Sequence, residues 1–195
     1  LQPGSFAEAM EGCGLVIHTA SPFQLDTKDP QRSLVDPALE GTRNVLETAK
    51  STAGVQRVVL TSSVAAIYGD AIELEEAPDQ VLTEAQWNES STLKHQPYSY
   101  SKTVAEREAW KISGTQTAWD LVTINPSFVM GPSLSQRTDG TSTQFIQSIA
   151  NGQFKAGAPD LYFGVVDVRE IARGHLLAGF LPEAEGRHIV SASEH

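Results

Sequence analysis

Tyr98-Ser99-Tyr100-Ser101-Lys102 sets a phenol and an amine four residues apart. On an α-helix that spacing stacks the two side chains on one face, where an ammonium can lower the proton affinity of a phenol. The chemistry available to such a pair is proton transfer. The register is unambiguous, because Tyr98 has Lys102 at its fourth position, whereas Tyr100 has Val104 there and points to roughly the opposite side. Two other polar clusters each follow an apolar run. Thr61-Ser62-Ser63 comes after Val58-Val59-Leu60, and Asn125-Pro126-Ser127-Phe128-Val129-Met130-Gly131-Pro132 comes after Leu121-Val122-Thr123-Ile124.

The elements that must position these groups follow from the apolar periodicity. Ser5 to Met10 reads as the end of an amphipathic helix closed by Gly12 and Gly14, and Leu15 to Ala20 as a short buried strand. Ser33 to Ser51 has apolar residues at helical intervals, and Gln56 to Thr61 reads as a second buried strand. Tyr98 to Ser113 makes a further helix and Asp120 to Asn125 a third strand. This βαβαβ order predicts an α/β fold with a doubly wound parallel sheet. The three polar clusters then lie at the carboxyl ends of strands, where such sheets bind ligands. Tyr68 to Pro97 is long for a βα connection and reads as a functional loop or a plain insertion. Downstream, Thr143 to Ile149 predicts a helix, Tyr162 to Val166 a strand, and Val168 to Leu181 a helix with Asp167 and Glu170 as its capping pair.

Composition narrows the function classes. A formal charge of −10 and a pI near 4.9 over 195 residues argue against nucleic acid or an anionic membrane as partner. No run of about 18 apolar residues is present. Leu1-Gln2-Pro3-Gly4-Ser5 has neither a basic leader nor an initiator methionine, so upstream sequence is expected to be missing. Cys13, the sole cysteine, excludes an internal disulfide, fits a reducing cytoplasm and reads as a small apolar residue. His18 falls inside an apolar strand and reads as a core histidine, while His95, His175, His188 and His195 lack metal-ligand spacing, so no metal is expected. Glu73, Glu75 and Glu76 read as a solvated acidic face of the long loop.

Together, these motifs resemble the short-chain dehydrogenase/reductase superfamily, whose hallmark is a Ser and Tyr-x-x-x-Lys triad on a Rossmann-type fold. Val16-Ile17-His18-Thr19-Ala20-Ser21-Pro22, Val58 to Ser63, Tyr98 to Lys102 with Ala105-Glu106, Asn125-Pro126 and Gly131-Pro132 are similar to the extended, dihydroflavonol-4-reductase-like carbonyl reductases of the epimerase/dehydratase family. The resemblance runs through nearly the whole chain and implies hydride transfer between NAD(P)H and a ketone or aldehyde, or the matching alcohol. It implies Ser63, Tyr98 and Lys102 as catalytic residues, with Tyr98 as acid/base, Ser63 polarising the substrate oxygen, and Lys102 favouring phenolate and holding the nicotinamide ribose. Ala20, Ser21, Pro22, Thr61, Ser62, Pro126 and Val129, with Tyr98 and Lys102, would contact the cofactor, although Pro126 also reads as a strand terminator and Thr61 and Ser62 as a capped turn. Tyr68, with Ser63 and Tyr98, would contact substrate, and Phe23 and Trp87 would wall the pocket or simply pack. NADP(H) is favoured in this branch and NAD(H) is possible. A homodimer through the Tyr98 helix and its neighbour is an expectation of the same kind.

The resemblance also defines what this sequence lacks. The family's G-x-x-G-x-x-G phosphate turn is absent, and Gly12-x-Gly14 precedes a strand instead of following one. The chain therefore reads as the central part of one Rossmann-type domain without its first βαβ unit, apparently cut at both ends, with elements of the substrate-binding region from about residue 133 onward. Two alternatives remain open on sequence. One is a nucleotide-sugar epimerase or dehydratase, for which Arg137, Lys155, Arg169 and Arg173 are the visible diphosphate partners. The other is a fragment with an inactive cofactor site.

Overall fold

Strands that are apolar on both faces need cover on both sides, and a parallel sheet between helices supplies it. In the computed structural model, which describes residues 2–23, 27–134, 140–155, 157 and 163–192, β1 (Leu15–His18), β2 (Arg57–Thr61), β3 (Asp120–Pro126) and β6 (Gly186–Val190) form one sheet in the order β1-β2-β3-β6. Every pairing is parallel, with Val58 opposite Val16 and Leu121, and Asn125 opposite Ile189. A second, two-stranded parallel sheet joins β4 (Phe128–Met130) to β5 (Val165–Asp167).

The helices divide between the two faces. A short α1 (Ala7–Met10), α2 (Asp36–Ser51) and α4 (Pro97–Ser113) cover one face, where Val45, Leu46, Ala49, Ala109 and Ile112 pack on Val58, Leu60 and Leu121. On the other face Val59, Val122 and Ile124 pack against Ala178 of α6 (Val168–Phe180). Because side chains alternate along a strand, Val58 and Leu60 serve one core and Val59 the other, which is why this run reads as uniformly apolar. The doubly wound parallel sheet expected from the sequence is thus present.

Differences fall at edges and loops. The first strand stops at His18 rather than Ala20, and the second helix is entered through a π-helical turn at Gln31–Val35. The long 68–97 connection carries α3 (Ile72–Glu76) and a 3-10 turn at Pro78–Gln80. Beyond it, α5 (Thr141–Ala150) covers the expected Thr143 to Ile149 helix, and β5 keeps only the end of the expected Tyr162 to Val166 strand, Tyr162 itself lying outside the described residues. Asp167 caps α6 by accepting from the Arg169 amide at 2.8 Å. Gly131 closes β4 at φ +146°, and a Cβ there would sit 2.7 Å from Val168 Cγ1, so a side chain is excluded both by backbone conformation and by space.

Candidate active site

Pro97 opens α4 at the position where a missing amide costs nothing, which sets Tyr98 in the first turn and Lys102 one turn further in. Gln96 immediately before it is left-handed at φ 52°, and its side chain is held by Asp70 Oδ1 at 2.7 Å. The loop and the start of the helix are therefore fixed to each other. Ser63 follows β2 and starts a 3-10 turn, Val64–Ala66, where its Oγ accepts from the Ala65 amide at 3.1 Å.

These elements bring Ser63, Tyr98 and Lys102 to one cleft of about 520 Å³ at the carboxyl edge of the sheet. Burial pushes the Tyr98 phenol up to about 12, and a hydrogen bond with Ser63 draws it back. Within the chain itself, Ser63 is the contact that draws the phenol down. The Lys102 ammonium is deep instead, donating to the Thr61 carbonyl at 3.3 Å; burial pushes it down to about 8, opposed by the charge of Glu106 one turn along the helix. His18 is pushed down to about 4, first by burial and then by the charge of Lys102, so it is neutral at pH 7.

The cleft takes in Ser21, Pro22, Thr61, Ser62, Pro126 and Val129 among the expected cofactor contacts, and Tyr68 among the expected substrate contacts. Ala20 lines a small adjoining cavity with Ser21 and Lys102. The Thr61 and Ser62 hydroxyls are already engaged. Thr61 Oγ1 lies 2.6 Å from His175 Nε2, whose Nδ1 faces the Ile171 carbonyl, and Ser62 Oγ donates to Glu106 Oε2 at 2.5 Å. What these two residues offer the cleft is mainly backbone. Tyr100 does not line it, as its register predicted.

Apolar rings form the walls. Phe23 lies 4.5 Å from Tyr98 between ring centroids, and Phe128 meets Phe145 and Phe163 edge-on at 5.5 Å each. Of the two readings open for Trp87, wall or simple packing, the structure gives packing: it does not line the cleft, and the Arg187 guanidinium covers its ring at 3.7 Å. Of the basic residues considered for a sugar nucleotide, Lys155, Arg169 and Arg173 do not line the cleft, Arg169 being paired with Asp167, and Arg137 lies outside the described residues, as does His195. No group of three or more His, Cys, Asp or Glu placed to hold a metal occurs among the described residues, nor does a helix long and apolar enough to cross a membrane.

A tyrosine, lysine and serine converging at the carboxyl edge of a doubly wound sheet is the geometry the sequence motifs implied. The family model described as the NAD dependent epimerase/dehydratase family matches residues 1–190. The chain belongs to that family. Among its relatives in the epimerase/dehydratase family are a cinnamoyl-CoA reductase of Medicago truncatula, 41% identical over 192 residues, which cover 97% of this chain and 57% of that one, and tetraketide alpha-pyrone reductase 2 of Arabidopsis thaliana, 39% identical over 194 residues, covering 97% and 59%. Among solved structures, the yeast methylglyoxal/isovaleraldehyde reductase complexed with NADPH superposes with a TM-score of 0.84 at 32% identity, covering 95% of this chain and 58% of that one. The chain spans less than two thirds of the length of each.

Several residues that build the site of this family member gave no sequence signal. Glu73, read as part of a solvated acidic face, accepts from the Gly69 and Asp70 amides and from Ser90 Oγ, which hold its carboxyl below the usual range despite partial burial. It ties the loop together. Glu106 is fully buried and accepts from Ser62, Asn125 and Arg187. Glu106 stands in the sequence motif only as the residue after Ala105, one helical turn beyond Lys102, with no role attached. Arg187 and the aromatic cluster of Phe128, Phe145, Phe154 and Phe163 come together only through tertiary folding.

Proposed function

We propose that this chain carries the catalytic centre of an NADP(H)-dependent carbonyl reductase, with NAD(H) as the less favoured cofactor. The observation that carries the proposal is the meeting of Ser63, Tyr98 and Lys102 in one apolar cleft at the carboxyl edge of the parallel sheet. The residues present fit the nicotinamide end of the cofactor: a buried ammonium at Lys102, with Ser21 and Thr61 lining the same cleft and apolar side chains at Pro22, Pro126 and Val129. When bound, the nicotinamide supplies a hydride to the carbonyl carbon.

The chain's own groups handle the oxygen. Tyr98, protonated at neutral pH, donates its proton to the oxygen as charge develops there, and the Ser63 hydroxyl donates a hydrogen bond to the same atom. Lys102 is protonated at pH 7, and its positive charge stabilises the phenolate left on Tyr98 while its ammonium binds the ribose. Phe23, Phe128, Phe145 and Phe163 exclude water and favour an apolar or aromatic substituent on the carbonyl. Since Ser142, Phe145 and Phe163 reach the cleft from beyond residue 133, we assign that part of the chain to substrate binding and the part before it to the dinucleotide-binding domain. The NADPH complex of the yeast relative and the reductase names of the plant relatives support this reading. The test is NADPH oxidation by the complete gene product with a panel of aryl aldehydes and ketones. Turnover that Tyr98→Phe abolishes is expected; turnover of none of the panel, or an unchanged rate in Tyr98→Phe, would refute it.

A further inference from the structure

Arg187 is a charged residue in a sheet strand, and it is almost completely buried, with a side chain 8% exposed. Burying a guanidinium needs a counter-charge and hydrogen-bond acceptors around its plane. Both are present. Nε donates to Glu106 Oε1 at 2.7 Å, Nη1 to the carbonyls of Glu84 at 2.8 Å and Gln86 at 2.5 Å, and Nη2 to the Ala66 carbonyl at 3.3 Å. Trp87 covers its face at 3.7 Å. None of these partners lines the cleft, and Arg187 does not line it either.

The connections lead to Ser63 from two directions. Ala66 ends the 3-10 turn that Ser63 begins. On the other side Glu106 Oε2 accepts from Asn125 Nδ2 at 2.8 Å, and the same amide donates to the Ser63 carbonyl at 3.1 Å. Glu106 also holds the Ser62 hydroxyl. One guanidinium thus fixes both ends of a short turn whose first residue presents the hydroxyl that meets Tyr98.

We propose that the buried Arg187–Glu106 pair is a positioning element for Ser63: Arg187, from β6, sets the turn at Val64–Ala66 and, through Glu106 and Asn125, the backbone of Ser63, so that its hydroxyl faces the reacting oxygen. This rests on the carbonyl reductase reading of the site. The planar fork is what the role requires. It binds a carboxylate and three carbonyls at fixed angles, whereas lysine would keep the charge and lose the geometry.

The experiment is a double-mutant cycle of Arg187→Lys with Ser63→Ala in the complete gene product, reading kcat, KM and NADPH affinity by fluorescence titration. If Arg187 acts through Ser63, Arg187→Lys lowers kcat by about ten- to a hundredfold, the effect of misplacing a reacting group by a fraction of an ångström to an ångström, with NADPH affinity unchanged. In the Ser63→Ala background the same substitution then costs less than about threefold, because its target is gone. A kcat within about twofold of wild type, or an equal loss in both backgrounds, overturns the proposal. Should Arg187→Lys fail to fold, Asn125→Ala enters the same cycle with the same criterion, since it removes the amide that joins Glu106 to the Ser63 carbonyl and leaves the hydrogen bonds of Arg187 itself untouched. The underlying reading fails separately, through an unchanged rate in Tyr98→Phe.

Discussion

Replacing Lys102 by methionine should make the protein more stable and catalytically dead. Lys102 is 7% exposed, and its ammonium is pushed from the ordinary 10.5 to about 8, first by burial, with Glu106 opposing. At about 1.4 kcal/mol per tenfold change in proton affinity, keeping that group charged inside the fold costs about 3 kcal/mol at pH 7. Methionine fills a similar volume without a charge; it forfeits the hydrogen bond to the Thr61 carbonyl, about 1 kcal/mol, and Glu106 keeps Arg187 as its partner at 2.7 Å. The net gain at pH 7 is about 2 kcal/mol, which for a chain of this size raises Tm by about 4 to 8 °C. The sign follows from proton linkage. The folded chain releases the Lys102 proton near pH 8 and the unfolded chain only near 10.5, so wild-type stability rises relative to the variant as pH climbs between those values. Urea denaturation at pH 7 and pH 10 measures both. The gain should be largest at pH 7 and shrink toward zero by pH 10. A variant less stable than wild type at pH 7, or a gain of equal size at both pH values, would refute the reasoning.

Other outcomes follow from the same geometry. Glu106→Gln strands the buried guanidinium of Arg187 and should lower unfolding stability by about 3 to 5 kcal/mol in urea titration. The rate of carbonyl reduction should fall as pH rises through about 8, when Lys102 loses its proton; the titratable groups coupled to it are Glu106 on its own helix and the neutral His18 on β1, so Glu106→Gln should move that limb to lower pH. Ser63→Ala should reduce kcat by about a hundred- to a thousandfold as an oxyanion donor is lost, with little change in NADPH affinity measured by fluorescence. Gly131→Ala forces a residue with a Cβ to φ +146° and against Val168, and should cost about 1 to 3 kcal/mol in thermal or urea unfolding.

What could be read from the sequence is what depends on short spacing. Tyr98 and Lys102 share a face because one helical turn joins them, and Val58-Val59-Leu60 announces a strand buried on both sides because both of its faces meet apolar helices. The carboxyl-edge position of Ser63 then follows from strand order. β6 escaped notice for an equally physical reason. Gly186-Arg187-His188-Ile189-Val190 lacks an apolar run, since Arg187 spends its place in the core on Glu106, a partner 81 residues away in sequence. Glu73 looked like solvent-facing charge because its partners are backbone amides and a serine, which leave no pattern of opposite charge. Trp87 was open between the pocket wall and simple packing, and the sequence could not choose because the Arg187 cation that covers it is a hundred residues away. β4 is three residues long, too short for a period to register, whereas β5 overlaps the end of the strand expected at Tyr162 to Val166.

The account stands most directly on the transfer of hydrogen to carbon at this cleft. The complete gene product, given NADPH carrying deuterium at the transferable nicotinamide position and the panel of aryl aldehydes and ketones, should yield an alcohol with one deuterium on the former carbonyl carbon by mass spectrometry, and Tyr98→Phe should yield almost none over the same time. No labelled alcohol from the wild type with any member of the panel, or equal labelling by Tyr98→Phe, would contradict it.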